Sequence, residues 1–382
     1  MPRSGWLATE ASRPTAAQLV TYLAEHLVAL GIPLSRLLTG LPTLHPEILV
    51  REVRWTPESG AKVTSLPHTL TRSPSYLVSP VVALQQGSVT EIRRRLIGAD
   101  AVLDFPVLAD LAATGVTDYF AIPIAFTDGR RSFISFTTEA PAGFSDAHLE
   151  LLRDVPAWVP VRLELESMRY AMSSLLEVYL GANAAKRVLD GAFLRGGGEV
   201  VNAAIFTCDL RGFTQMSDRL PVRDVVAMLD RYFECVAVPI AEHGGEVLKF
   251  IGDAVLAVFT IDGDARAPCR AALAAAEEAL SRIGALATSY PEVPIGVGVA
   301  LHVGEVMYGN VGAPGRLDFT VIGAAVNEVC RVEALSKDLK VPLLVTASFA
   351  EACADERLVS LGRHALRGVR EEQAILTLAS LR

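Results

Sequence analysis

Strand, helix, hairpin, helix, strand is the order of patterned segments across residues 199–378, and that order predicts an α+β sandwich of the ferredoxin-like kind. Three observations carry the prediction. Residues 203–206 are an apolar run of strand character. Residues 218–241 space Leu220, Val225, Met228, Leu229, Tyr232, Phe233 and Val236 three and four apart, as one face of a helix requires. Residues 247–251 and 255–259 are apolar segments on either side of Gly252-Asp253, which is a hairpin signal. His243-Gly244-Gly245 ends the first helix, an alanine-rich helix follows over about 265–287, and then come a strand over 294–301 and a second turn-rich hairpin over 304–319. His302 closes that apolar strand and reads as a structural histidine. The glycine-rich stretch 309–315 lacks the Gly-Lys-Ser/Thr ending of a P-loop and reads as a loop.

Two carboxylates stand out on this frame. Asp209 follows the first strand in Phe206-Thr207-Cys208-Asp209-Leu210-Arg211-Gly212-Phe213-Thr214, and Asp253 sits at the hairpin tip. Gly212 allows a tight turn in which successive N–H groups face an anion, so Gly212, Phe213 and Thr214 form a candidate phosphate cradle beside a metal ligand. Magnesium prefers a few carboxylates completed by substrate phosphate oxygens, and paired metals suit in-line displacement at phosphorus. Either aspartate alone reads equally well as a helix cap or a turn residue. The third element, residues 318–331, is a short strand running into a helix on which Asn327 and Arg331 share a face, four residues apart. A carboxamide and an always-charged guanidinium there can hold a sugar and a phosphoryl group; the plainer reading is a solvated polar stripe.

Taken together these residues resemble the class III nucleotidyl cyclases, across about half of the chain. The resemblance implies that Asp209 and Asp253 are the two metal-binding aspartates, Lys249 and Thr320 the purine-reading pair, Asn327 the ribose-orienting residue and Arg331 the transition-state arginine. It implies two Mg2+ or Mn2+ ions per site and a homodimer in which the aspartates of one chain face Lys249, Thr320, Asn327 and Arg331 of the other. Lysine donates to adenine N1 and the Thr320 hydroxyl accepts from the exocyclic amine, so ATP is the expected substrate, converted to 3′,5′-cyclic AMP and pyrophosphate. Many members carry Asp where this chain has Thr320. Where the family often offers a lysine to the nucleotide phosphates, this chain has Arg367-Gly368-Val369-Arg370, of which Arg370 is taken as the phosphate contact and Arg367 is its alternative. The alternatives weighed are a guanylyl cyclase, a catalytically silent nucleotide-binding regulator and a diguanylate cyclase. Gly244-Gly245-Glu246 superficially resembles the signature of the last, but the Asn327/Arg331 helix has no counterpart there.

Composition bounds the remainder. The chain has 382 residues, 51% hydrophobic, enough for two domains with ordinary cores. A net charge of −8 gives no footprint for nucleic acid. Five cysteines without metal or secreted-framework spacing point to reduced thiols and a cytoplasmic location, and no signal peptide or membrane span is visible.

The N-terminal part, residues 1–155, reads as a sensory domain. A helix is expected over 15–30 and stops at Gly31 and Pro33. Strands are expected at 48–55 and 76–83, a helix at 107–113, and a hairpin from 119–126 and 133–137 around Thr127-Asp128-Gly129-Arg130. Ser145 caps a further helix, with Phe144 and Leu149 as a hydrophobic staple. This order resembles a GAF-type regulatory domain of α/β character whose ligand is unknown; His26, His45, His68 and His148 form no haem or metal motif. Residues 156–195 read as a helical linker. Trp158, Val161, Leu165, Met168, Met172, Leu175 and Tyr179 form a heptad seam of about three repeats, the short end of a coiled coil. The alternative is an amphipathic helix packed on its own domain. A short helix at 184–189, closed by Gly191, and Gly196-Gly197-Gly198 then lead into the catalytic domain, residues 196–382.

Overall fold

The computed structural model describes residues 14–290, 295–369 and 371–382. The chain divides into two compact units between Val178 and Tyr179.

The first unit is built on an antiparallel sheet of β1 (Arg36–Pro42), β2 (Ile48–Thr56), β3 (Gly60–Pro67), β4 (Ile92–Arg95), β5 (Asp118–Ala125) and β6 (Arg131–Thr138), in the order β3-β2-β1-β6-β5-β4. Helix α1 (Ala16–Ala29) is opened by a capping box between Thr15 and Gln18, and its buried face, Leu19, Leu23 and Leu27, packs with Leu37, Phe120 and Phe136. The expected strand at 76–83 is instead two short helices, α2 (Pro74–Leu77) and α3 (Pro80–Gln85). The reason is local. Ser73 and Ser79 each accept an N–H from three residues on, and each is followed by proline, whose fixed φ suits a first helical turn. Together with α4 (Pro106–Ala113), helix α3 covers the other sheet face, around Leu38, Leu84, Leu108 and Phe133. Strands β1, β3 and β4 escaped sequence reading because their polar and apolar residues barely alternate.

Helix α5 (Asp146–Arg153) starts at Ser145 in a capping box with His148, and Phe144 and Leu149 meet in the same core. Helix α6 (Pro160–Leu180) begins after Trp158, which closes a single turn at Val155–Ala157. Its inner face is Leu163, Glu164, Ser167, Ala171 and Ser174. The Glu164 carboxylate accepts from the Thr127 N–H (2.9 Å) and hydroxyl (2.6 Å), and the Ser167 hydroxyl donates to the Pro42 carbonyl (2.6 Å). The apolar seam points the other way: Val161, Leu165, Met168, Met172 and Tyr179 are all exposed. The seam is therefore not the surface by which this helix packs on its own unit.

The second unit is an α+β sandwich. Its sheet comprises β7 (Gly198–Arg211), β8 (Glu246–Ile251), β9 (Ala254–Ile261), β10 (Gly296–Ala313), β11 (Arg316–Ile322), β12 (Leu343–Thr346), β13 (Leu358–His364) and β14 (Gln373–Leu378), ordered β13-β14-β12-β10-β7-β9-β8 with β11 paired to β10. Helix α7 (Ala182–Leu189) opens this unit and the one-turn α8 (Phe213–Ser217) follows β7. The long α9 (Val222–Glu242) and α10 (Arg266–Ser289) cover one sheet face. Alternation along β7 sends Phe206, Cys208 and Leu210 to that side, against Tyr232 and Leu273. Ala203 and Ile205 face the other side, against Ala184 of α7 and Val329 and Val332 of α11 (Ala324–Leu339). A last helix, α12 (Ala347–Cys353), packs at the edge.

Two boundaries differ from expectation. Helix α9 starts at Val222, after Pro221, and not at 218. The strand expected over 294–301 and the first arm of the following hairpin are one strand, Gly296–Ala313, so His302 lies inside it; Pro294 is outside the described residues. Glycines at 304 and 309 suggested breaks, but Gly309 is there for close approach: a Cβ would lie 2.3 Å from the Gly197 carbonyl oxygen. Among the described residues no helix is long and apolar enough to cross a membrane.

A test of the first unit lies in Asp118, which is fully buried. Its Oδ2 accepts from Arg93 (3.2 Å), Arg95 (3.4 Å) and the Phe144 N–H (3.1 Å). Asp118→Ala would remove all three bonds, leaving the Phe144 N–H without its acceptor while Arg93 and Arg95 keep their carbonyl partners, and is expected to cost about 2–3 kcal/mol. All three tryptophans, at 6, 55 and 158, belong to this half of the chain, so their fluorescence in urea reads it selectively. A loss under about 1 kcal/mol would contradict the network.

Candidate active site

The register of the central strands assembles the first pair. Cys208 on β7 stands opposite Val255 on β9, so the end of β7 meets the β8–β9 turn, where Gly252 (φ 64°) adopts the left-handed conformation and Asp253 follows. The Asp209 and Asp253 carboxyls lie close enough to act on each other. Burial, followed by the charge of Asp253, pushes the Asp209 carboxyl up to about 6. Two carboxylates that repel unless a proton lies between them are a donor set that a divalent cation would relieve. Among the described residues no cluster of three or more such ligands occurs, so a bound metal would draw its remaining ligands from substrate and water. Gly212 is left-handed (φ 75°) and opens α8, where Met216 is the residue whose N–H returns to the Gly212 carbonyl (3.1 Å).

Sequence reasoning missed a third carboxylate here. Glu333 is buried on α11 behind Asp209: a Cβ on Gly298, the β10 partner of Asp209, would lie 2.4 Å from its Oε1. Burial first, then the charge of Asp209, pushes its carboxyl up to about 7, and its Oε1 has no protein hydrogen-bond partner. The signal was present: Val329, Val332, Glu333 and Ser336 lie on one helical face, an acid among core residues. Arg211 fastens the same region, donating from Nη2 to the carbonyls of Ser336 (3.0 Å) and Val341 (2.8 Å).

The purine-reading candidates lie apart from the aspartates. A bulge in the β8–β9 pairing between Val247 and Lys249 re-aims the strand, and Lys249 Nζ donates to Asp318 Oδ2 on β11 (3.4 Å). Asp318 is the second residue that sequence reading left without a role. Thr320 is buried on the same strand, and its hydroxyl has no hydrogen-bond partner. On α11, Asn327 is exposed and Arg331 half-buried, the guanidinium lying beside Gly368. Neither side chain makes a hydrogen bond or ion pair among the described residues. The same holds between the groups: no hydrogen bond or ion pair joins Asp209 or Asp253 to Lys249, Thr320, Asn327 or Arg331. Arg370 lies outside the described residues, and Arg367 is exposed.

Known proteins resemble this part of the chain. Residues 198–379 match the family described as the adenylate and guanylate cyclase catalytic domain. The second unit thus carries an adenylate/guanylate cyclase catalytic domain. An uncharacterized protein of Mycobacterium tuberculosis is 39% identical over 159 residues, 42% of this chain and 29% of that protein. An adenylate cyclase of Anabaena cylindrica is 37% identical over 148 residues, 38% of this chain and 29% of its own length. The chain thus spans about three-tenths of the length of these curated relatives. Among solved structures, a bacterial light-regulated adenylyl cyclase aligns over 69% of this chain and 86% of its own, at 22% identity and a TM-score of 0.48. The guanylyl cyclase Cya2 aligns over 49% and 95%, at 28% identity and a TM-score of 0.43.

The carboxylate pair makes a pH prediction. Asp209 has a folded pKa of about 6 against an ordinary value of 3.8, so in this window the folded state keeps a proton that the unfolded chain releases. Its contribution to stability therefore falls as pH rises from about 4 to about 6. In chelator at pH 7, Asp253→Asn should remove the repulsion and stabilise the second unit by about 1 kcal/mol, the worth of roughly one pKa unit. Calorimetric melting checks it; a variant no more stable than the parent would mean that the pair is not in repulsive contact.

Proposed function

We propose that the chain is an adenylyl cyclase, converting ATP to 3′,5′-cyclic AMP and pyrophosphate in a homodimer with two equivalent sites. The observation that carries the reading is that the register of β7 and the β8–β9 turn bring Asp209 and Asp253 together in a cyclase catalytic domain. When bound there, Mg2+ or Mn2+ would acidify the ribose 3′-hydroxyl and neutralise the triphosphate. The remaining chemistry falls to the chain. Asp209 and Asp253 hold the cations, and the turn at Gly212, Phe213 and Thr214 offers N–H groups to the phosphates. Lys249 donates to adenine N1, and Thr320, whose hydroxyl is buried and uncommitted, accepts from the exocyclic amine. Asn327 orients the ribose, and Arg331 stabilises the charge growing on the α-phosphoryl group. Arg370 or Arg367 takes the terminal phosphates.

The dimer reading draws on two features. Within one chain the aspartates have no polar link to the other four residues, as a site divided between chains requires. Val200, Met307 and Ile322, paired in register across β7, β10 and β11, form an exposed apolar row together suited to a second copy. The first unit is read as a GAF-like sensor, in keeping with its six-stranded antiparallel sheet and helices on both faces. The exposed seam of α6 is read as a parallel coiled-coil stalk through which the sensor biases assembly of the shared sites.

The test is cyclic nucleotide formation by the purified chain from ATP or GTP with Mg2+ or Mn2+. Cyclic AMP lost in Asp253→Ala is expected; product from GTP alone, or none under any condition, overturns the reading. Arg331→Ala should lower kcat by roughly 10²–10³-fold with little change in KM. A mixed dimer of Asp253→Ala and Arg331→Ala chains should recover activity through its one intact site, and an inactive verified heterodimer would argue against division of the site.

A further inference from the structure

Every polar group around the buried carboxylate of Glu246 donates to it. Its Oε1 accepts the Ala184 N–H (3.2 Å), and its Oε2 accepts the Asn183 side-chain amide (3.2 Å) and the Tyr308 hydroxyl (2.6 Å). The first two donors form the opening turn of α7, and the third belongs to β10. A carboxylate out of water is costly unless such donors satisfy it, so α7 cannot shift away from β8 without stranding the charge. Tyr308 is held in turn: the Phe319 ring meets it edge-on at 4.9 Å, and the Arg187 guanidinium lies 4.9 Å from its ring centre while pairing with Glu199.

What Glu246 is attached to gives this knot its meaning. It is the first residue of β8; Lys249 lies three residues on, past the bulge, and the strand ends at the turn that bears Asp253. Tyr308 adjoins Gly309, the register partner of Thr320 on β11. One side chain thus ties the opening turn of α7 to β8, which carries Lys249, and to β10, the strand that pairs with Thr320 on β11. Further contacts, the Arg187 pair with Glu199 on β7 and the Asn310 amide of β10 donating to the Ala192 carbonyl (2.6 Å), do not reach β8.

We infer that Glu246 is a positioning residue for the nucleotide: it carries the placement of α7 to Lys249 and Thr320, so that the segment preceding the catalytic domain sets the affinity for the purine. The inference rests on the proposed function.

The experiment compares the full chain with its Glu246→Ala, Glu246→Gln and Asn183→Ala variants. ATP affinity is read as KM in turnover and as Kd in equilibrium binding with Ca2+ replacing Mg2+; hydrogen exchange reads protection of residues 182–189. Glu246→Ala should weaken ATP by about tenfold in KM and Kd, lower kcat less per folded molecule, and speed exchange in that segment. Glu246→Gln should stay within about threefold of the parent, because its amide still accepts from Ala184 and pairs with Tyr308. Asn183→Ala, on the α7 side only, should weaken ATP in the same direction by about two- to threefold. Faster exchange with unchanged KM and Kd would reduce Glu246 to a structural role and overturn the inference, as would unchanged exchange in Glu246→Ala. A parent chain that binds ATP without turning it over would overturn the cyclase reading and leave the Kd series to decide the inference; one that does neither overturns both.

Discussion

The repulsion between Asp209 and Asp253 is the constraint around which the second unit is organised. Two carboxylates approach only if the backbone forces them to, and the force here is the ladder between β7 and β9, reinforced by the longer ladder between β7 and β10. Asp209 pairs with Gly298 of β10 one residue past the end of the β7–β9 ladder, and Asp253 sits in the turn that joins β8 to β9, so the two backbones are brought together by the sheet. The fold stores unfavourable electrostatics at a point that a cation would neutralise. Such local destabilisation, maintained by a rigid surround, is the usual signature of a site and not of a scaffold.

Helix α11 answers to the same point, covering the sheet face that Asp209 shares with Ala203 and Ile205. It is held near Asp209 by the Arg211 contacts at its C-terminal end and by the close packing of Glu333 and Ser336 over Gly298. The same helix presents Asn327 and Arg331 earlier in its length. The Asp209 end of β7 and the arginine-bearing helix therefore share a mechanical connection, although in the proposed dimer they serve different sites.

How much of this was legible in the sequence depended on whether a residue's meaning is local. Asp209 and Asp253 each carry their own context, an apolar strand, a glycine and a turn, and stand out as candidates. Asn327 and Arg331 needed only helical spacing. Glu246, Asp318 and Glu333 acquire significance from residues 62, 69 and 124 positions away, through strand register, and nothing in their immediate surroundings announces it. The misread strand at 76–83 failed for the opposite reason: the local signal was present, as two Ser-Pro steps, but the apolar residues between them were weighted more. In the linker, spacing identified an apolar seam, whereas which face of the helix packs inward was decided by Glu164, Ser167 and Ser174, residues that carry little hydrophobic signal.

That two-sided helix has a geometric consequence. The inner face of α6 is keyed by hydrogen bonds from Glu164 and Ser167, which fix its rotational phase near the start. The outer seam follows a seven-residue repeat, and a straight α-helix drifts by about 20° per heptad against such a repeat. Over about three heptads the mismatch reaches roughly 60°. A partner that gripped the whole seam would have to twist the helix away from its key, and the accumulated rotation would arrive at Gly181, whose φ of 85° separates α6 from α7.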